Sequence, residues 1–132
     1  PFFSVSSMAA CSAGDIVKWN STAPREITAS HFVMSDDDSQ VTARVAGVYQ
    51  VHVRLSMVNT SLQEGTVLVL LVNTIAVAGC SQCNAQGHTI TPQLFEILRL
   101  QVNDTLQVRS HSLDMSGVDH LVNRFSLTYL GK

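Results

Sequence analysis

The length and composition of this sequence suit one globular domain. Its 132 residues are 45% hydrophobic and 14% charged, so core material is ample and solubilising charge is scarce. The formal net charge of −2 gives no general attraction to nucleic acid or to an anionic membrane, and no apolar run approaches the ~20 residues of a membrane span. We therefore treat residues 1–132 as a single domain with no nucleic-acid partner and no membrane insertion. The scarcity of charge indicates that an oligomer covers part of the surface.

Strand signals dominate the middle of the chain. Val48–Leu55 alternates apolar and polar side chains without a break, which is the period of a half-buried strand. Thr66–Val72 is continuously apolar and β-branched between turn residues, which predicts a buried strand. Leu94–Leu100 is compatible with a helix, but the flanking Pro92 and its place in a series of strands favour a strand.

The alternation returns in Leu106–Arg109 and Phe125–Tyr129. Turn signals separate about eight to ten such segments, which is typical of an all-β, antiparallel two-sheet β-sandwich or jelly roll. The apolar positions of the alternating segments predict the side chains buried between the sheets, namely Tyr49, Val51, Val53, Leu106, Val108, Phe125 and Leu127.

The three cysteines, Cys11, Cys80 and Cys83, are an odd number, which is unlike a small secreted domain held by disulfides. Cys80 and Cys83 form a C-x-x-C between predicted strands, where no helix N-terminus lowers a thiol pKa. Only His88 lies near in sequence as a further zinc ligand. The spacing therefore favours a pair of loop thiols or a local disulfide over a redox or zinc site.

Other residues with metal-binding or catalytic chemistry are dispersed. Asp36, Asp37 and Asp38 supply oxygen ligands of the kind calcium uses, but three consecutive carboxylates are more typical of a solvated turn. The five histidines are His31, His52, His88, His111 and His120, and no G-x-S-x-G motif accompanies them. We expect no catalytic residues, no metal and no cofactor.

Three Asn-x-Ser/Thr motifs begin at Asn20, Asn59 and Asn103, each in a predicted loop or turn. They indicate glycosylation of a secreted domain, or chance in a chain rich in Ser and Thr. The absence of a signal-peptide pattern leaves an intracellular location open. Because the sequence begins at Pro1 rather than at Met, we expect it to be part of a longer protein.

Three segments resemble complement C1q-like domains of the C1q/tumour necrosis factor (TNF) superfamily. They are Ser39–Tyr49, which contains Gly47-Val48-Tyr49, then Leu98–Val108, and finally Asn123–Leu130. Their order and spacing match over Phe2–Leu130. The chain departs from the usual pattern at Ala46, Asn103 and Leu127, which marks a distant relative. The resemblance implies a ten-stranded jelly roll, a homotrimer, an unknown protein partner or receptor, no catalysis, and a position at the C-terminus of a longer chain.

The resemblance also implies where the trimer axis lies. It places Val48–Leu55, Leu106–His111 and Phe125–Leu130 in an inner sheet whose outward face packs around the axis. The side chains then expected at the trimer interface are Gln50, His52, Arg54, Gln107, Arg109, Ser126, Thr128 and Leu130. Glu96 and Asp104 are candidate counter-charges for the arginines. The alternative is a monomer whose polar sheet face is solvated.

Three other functions stay open alongside homotrimeric protein recognition. A carbohydrate-binding jelly roll would need an exposed aromatic side chain, so core burial of Trp19, in a predicted early strand, would argue against it. An enzyme of the cupin type needs clustered histidines that the strands do not show. An intracellular trimerisation domain at the end of a coiled-coil protein is the third. Family habit and the Asn-x-Ser/Thr motifs favour the extracellular location.

Overall fold

The computed structural model describes residues 2–6, 11–19, 31–59, 65–82, 88–111, 114–115 and 123–132. Within these ranges the regular secondary structure consists of strands. The described residues therefore contain no helix that is long and apolar enough to cross a membrane. The strands are β1 (Phe2–Ser6), β2 (Phe32–Met34), β3 (Val41–Ala43), β4 (Gly47–Arg54), β5 (Met57–Asn59), β6 (Gly65–Val72), β7 (Ile75–Gln82), β8 (His88–Ile90), β9 (Gln93–Leu100), β10 (Thr105–Ser110), β11 (Asp114–Met115) and β12 (Arg124–Gly131).

Nine of these strands form two antiparallel sheets with a core between them. One sheet has four strands in the order β1-β12-β4-β9, and the other has five in the order β2-β3-β10-β6-β7. Strands that are distant in sequence are neighbours in both sheets, as in a jelly roll. The predicted all-β, two-sheet sandwich is confirmed.

The remaining strands form a small sheet in the order β11-β5-β8. The pairing of β4 with β9 resumes as the pairing of β5 with β8, after a break at Ser56 and Pro92. Pro92 has no N–H to donate to the ladder, although its carbonyl still accepts the Leu55 N–H at 3.2 Å. Such breaks are why the described strands number twelve where the resemblance implies ten.

The core lies between the inward faces of the two large sheets. All seven side chains predicted there have no exposed surface: Tyr49, Val51, Val53, Leu106, Val108, Phe125 and Leu127. Two of them come from β10 of the five-stranded sheet and five from β4 and β12 of the four-stranded sheet, so both sheets contribute to one core.

Trp19 joins this core from outside the sheets. It lies in an irregular segment and not in a strand, so the predicted early strand around it is wrong. Its backbone N–H donates to the Asp38 carbonyl at 2.8 Å, and its ring packs 5.4 Å from that of Phe125. The apolar side chains of this segment are buried in the core, as those of a strand would be. A sequence pattern therefore does not distinguish the segment from a strand.

The structure corrects the sheet assignment of Leu106–His111. Leu106–Ser110 belongs to β10, which pairs with β6 and β3 in the five-stranded sheet, whereas β4 and β12 pair in the other. Alternation correctly separates the inward Leu106 and Val108 from the outward Gln107 and Arg109. It does not reveal which sheet a strand joins, because strands of both sheets bury one face.

Candidate functional site: the outer face of the four-stranded sheet

The outward face of the four-stranded sheet is centred on β4. Alternation on β4 directs Gln50, His52 and Arg54 away from the core, because Tyr49, Val51 and Val53 are fully buried on the opposite side. We call this surface the outer face. It is formed by the outward side chains of β1, β12, β4 and β9, and the register of the strands defines its composition.

Strand β12, which lies between β1 and β4, contributes polar side chains to the outer face. Ser126 lies opposite His52, Thr128 opposite Gln50, and Arg124 opposite Arg54. The Ser126 hydroxyl is 3.1 Å from the Ser4 hydroxyl of β1, and the Arg124 guanidinium donates to Ser4 Oγ at 3.0 Å.

Two of these cross-strand neighbours are cations. Like charges directly opposite one another are destabilising in a sheet. Arg54 and Arg124 place two positive charges opposite each other at this end of the outer face.

Strand β9 contributes an apolar patch that the sequence analysis did not identify. Phe95 lies opposite His52, and Ile97 lies opposite Gln50; their side chains are 61% and 66% exposed. The His52 ring is stacked on the Phe95 ring, with centroids 4.1 Å apart and planes 6° from parallel, and its Nε2 is 3.1 Å from Gln93 Oε1. The signal was present in the sequence, because burying Leu94 and Leu100 on one side sends Phe95 and Ile97 to the other.

The predicted interface residues do not all share this surface. Gln50, His52, Arg54, Ser126 and Thr128 lie on the outer face, and Leu130 is 51% exposed where the register of β12 shifts. The prediction that Gln107 and Arg109 lie beside them is wrong, because both are on β10 in the opposite sheet. That leaves six of the eight residues on or beside the four-stranded sheet.

The two proposed counter-charges have different environments. Glu96 is partly buried on the edge strand β9 and, with Gln50, Phe95 and Ile97, lines an open depression of about 490 Å³. Asp104 lies in the turn before β10, where its carboxylate accepts bonds from the Gln101 N–H at 2.8 Å and the Asn73 amide at 3.0 Å. Asp104 therefore stabilises a turn, whereas Glu96 lies opposite the buried Val51, on the side of β9 that faces the core.

The Asp36–Asp38 run forms a turn in which one carboxylate organises the backbone. The Asp37 carboxylate accepts the hydroxyls of Ser35 and Ser39, each at 2.7 Å, and the Ser39 N–H at 3.2 Å. The Ser35 bond, then the Ser39 bonds, lower the pKa of Asp37 from 3.8 to about 2. Among the described residues no three His, Cys, Asp or Glu side chains are grouped as metal ligands.

The cysteine and glycosylation predictions fall partly outside the described residues. Cys11 and Cys80 are partly buried, while Cys83 and Asn20 lie outside the described ranges, as does His120. Of the remaining motifs, Asn59 ends β5, where it pairs with β8.

The third motif begins at Asn103. It is exposed in a turn with φ of 72°, a left-handed conformation that asparagine tolerates.

Solved structures with this arrangement of sheets identify the fold. The globular domain of zebrafish complement 1qA superposes with a TM-score of 0.71 at 15% identity, covering 100% of this chain and 98% of that one. Murine APRIL at pH 8.0 gives 0.70 at 11% identity and 98% coverage of both chains. Eiger TNF from S. frugiperda gives 0.65 at 16% identity, covering 100% of this chain and 94% of that one. The chain has the C1q/TNF-like fold.

This fold is shared at low sequence identity. The models of known protein families and the curated proteins give no match to the sequence. The resemblance stated from Gly47-Val48-Tyr49 and the closing strand is therefore confirmed at the level of the C1q/TNF-like fold, and it is the three-dimensional arrangement that carries it.

Proposed function

We propose that the chain is a non-catalytic homotrimeric assembly and protein-recognition domain of the C1q/TNF type. Copies of the chain associate through the outer face of the four-stranded sheet. The observation that carries the proposal is the pair Phe95 and Ile97, which are adjacent large apolar side chains more than half exposed on a sheet face. Covering either side chain would contribute about 1–2 kcal/mol.

The polar neighbours of the apolar pair suit the periphery of such an interface. Interface cores are depleted in charge, and their rims are polar. Ser126 and Thr128 are small enough to pack closely, while Arg54 and Arg124 lie at one end of the face. We assign Phe95, Ile97, His52 and Gln50 to the centre of the contact and the two arginines to its rim.

The structure weakens the carbohydrate-binding alternative. Trp19 is only 2% exposed and packs on Phe125, so it provides no platform for a sugar. Phe95 is exposed, but its ring is stacked on His52. Binding to the wild-type chain and to Phe95→Ala should be measured with a panel of soluble glycans. A glycan that binds the wild type but not the variant would favour this alternative over protein recognition.

The solution mass tests the assembly. Light scattering at micromolar concentration should give three times 14.3 kDa for the wild-type chain. Ile97→Glu should give the monomer mass, because it places a carboxylate in the apolar centre of the contact. Ile75→Glu is the matched control, since Ile75 is 67% exposed on β7 of the other sheet, and it should keep the trimer mass. A monomeric wild type, or equal masses for both variants, contradicts the proposal.

We further propose an extracellular location, supported by the exposed position of Asn103. The chain secreted from eukaryotic cells should lose mass on endoglycosidase treatment, and Asn103→Gln should reduce that loss by the mass of one glycan. A secreted wild-type chain whose mass the enzyme leaves unaltered argues against glycosylation.

A further inference from the structure

A second concave surface lies on the five-stranded sheet, facing away from the core. It is an open groove of about 350 Å³, lined by Thr66, Val69, Ala76, Ala78, Gly79, Arg109 and His111. These residues come from β6, β7, β10 and the position after β10. None of the residues assigned to the trimer contact lines it, so the groove is independent of the outer face.

Small side chains on β7 create the groove. Ala76 lies opposite Leu71, and Gly79 lies opposite Val69, so this edge strand leaves open space beside the larger side chains of β6. The space is closely bounded at Gly79, where a Cβ would lie 3.2 Å from Thr66 Cγ2. The result is a floor of aliphatic carbon along the edge strand of the sheet.

Arg109 gives the groove a specific polar feature. It lies opposite Val69 on β10, and its Nε is buried without a hydrogen-bond partner in the described part of the chain. The Nε is closed to solvent, so within the groove a ligand can reach only the rest of this partly buried guanidinium. Arginine remains charged, and the two Nη groups of its planar guanidinium suit the two oxygens of a carboxylate.

We propose that this groove receives an acidic side chain, Asp or Glu, of an extended segment of a protein partner, with its carboxylate on Arg109. The inference rests on the proposed role in protein recognition but not on the trimer. Charge complementarity identifies the carboxylate, and the aliphatic floor of Val69, Ala76 and Ala78 favours a peptide over a free hydrated anion.

Nuclear magnetic resonance on the wild-type protein tests the proposal directly. The probes are N-acetyl-glutamate N-methylamide and, as the uncharged control, N-acetyl-glutamine N-methylamide. The glutamate probe should shift the Arg109 Nε–H signal and the backbone amides of Ala76 and Gly79 in a saturable way. The glutamine probe should bind with a dissociation constant at least about tenfold higher, since a charged acceptor makes the stronger hydrogen bonds.

Three variants locate the response. Arg109→Lys retains the charge but loses the planar fork, and Ala76→Leu fills the groove while leaving Arg109 in place; each should weaken glutamate binding at least about tenfold. Ala76 is exposed, so its replacement does not enter the core and decides the question if Arg109→Lys unfolds. Arg44→Lys, at an exposed arginine outside the groove, should bind like the wild type.

Several results would overturn the proposal. They are an unchanged Arg109 signal, an equal response to the glutamine probe, undiminished binding in Ala76→Leu, or a response to inorganic phosphate but not to the glutamate probe. The mass of each variant separates this proposal from the previous one. A monomeric wild-type chain that still binds the glutamate probe contradicts the trimer and leaves the groove assignment standing.

Discussion

At the scale of single residues, Tyr49 shows how a polar aromatic side chain is accommodated in the core. Its side chain is fully buried, its hydroxyl donates to the Val45 carbonyl, and its ring packs edge-on to Phe32 and 5.2 Å from Tyr129. Burial raises the pKa of Tyr49, so the hydroxyl stays neutral and keeps its hydrogen. The buried donor therefore has a partner, as burial of a polar group requires.

Gly47, two positions before this tyrosine, lies where no side chain fits. A Cβ on Gly47 would lie 2.5 Å from Tyr129 Cε1 and 2.7 Å from the Gly131 carbonyl oxygen. Gly47→Ala should therefore lower the free energy of unfolding by about 1–3 kcal/mol in denaturant titrations, through forced movement of β12. Gly14→Ala is the control, because a Cβ there meets nothing within 4 Å and only the positive φ is strained. Equal losses in both variants would show that backbone strain, and not the clash, determines the cost.

Asp37 makes the stability of its turn dependent on pH. Its folded-state pKa of about 2 lies below the usual 3.8, so the ionised carboxylate favours the folded state. This contribution is complete above pH 3.8 and is lost as pH falls through about 2. In unfolding titrations Asp37→Asn should be less stable than the wild type at pH 5, and the difference should shrink towards pH 2. Asp36→Asn, at the exposed neighbour, is the control for removing one negative charge from this turn.

At the scale of elements, alternation predicts faces well and sheet membership poorly. The pattern in Val48–Arg54 and Phe125–Thr128 correctly gives the buried and outward side chains of β4 and β12, because period two follows from strand geometry. The same pattern places Arg109 outward from β10 but in the wrong sheet. Sheet membership depends on pairing between distant strands, which is set by packing of the whole core.

Strand β9 was correctly predicted as a strand, but the exposure of one of its faces was not predicted. It has apolar residues on both faces, and Phe95 and Ile97 are exposed. A sequence pattern cannot distinguish a face covered by the same chain from one available to another chain. The structure shows that β9 is the edge strand of its sheet, which the sequence pattern does not reveal. Phe95 and Ile97 on this strand are the centre of the proposed contact. The groove at Arg109 was likewise unpredictable, since it depends on small residues from β7 meeting β10 across β6.

At the scale of the whole molecule, two features occupy opposite sheets. The outer face of the four-stranded sheet offers an apolar patch with charged neighbours, and the five-stranded sheet offers a groove lined by the cationic Arg109. Assembly through the first leaves the second available in every copy. A trimer would thus present three equivalent acidic-peptide sites, and weak individual binding would be strengthened by multivalency.

The arginine pair on the outer face should make the proposed assembly sensitive to salt. Arg54 and Arg124 are directly opposite, and closed symmetry brings three such pairs into one assembly. Repulsion among exposed charges is screened as the Debye length falls from about 30 Å at 0.01 M to about 10 Å at 0.1 M ionic strength. Sedimentation at these two ionic strengths should therefore show tighter association at the higher one.

Removing one cation isolates this electrostatic contribution from the general effect of salt on apolar contacts. Arg124→Gln should associate more tightly than the wild type at low salt and show a smaller salt response, because the opposing charge is gone while the Phe95–Ile97 contact remains. Arg44→Gln removes one positive charge outside the outer face and should keep the wild-type response. Association that weakens with added salt in the wild type would instead mean that carboxylates of the neighbouring copy pair with the arginines.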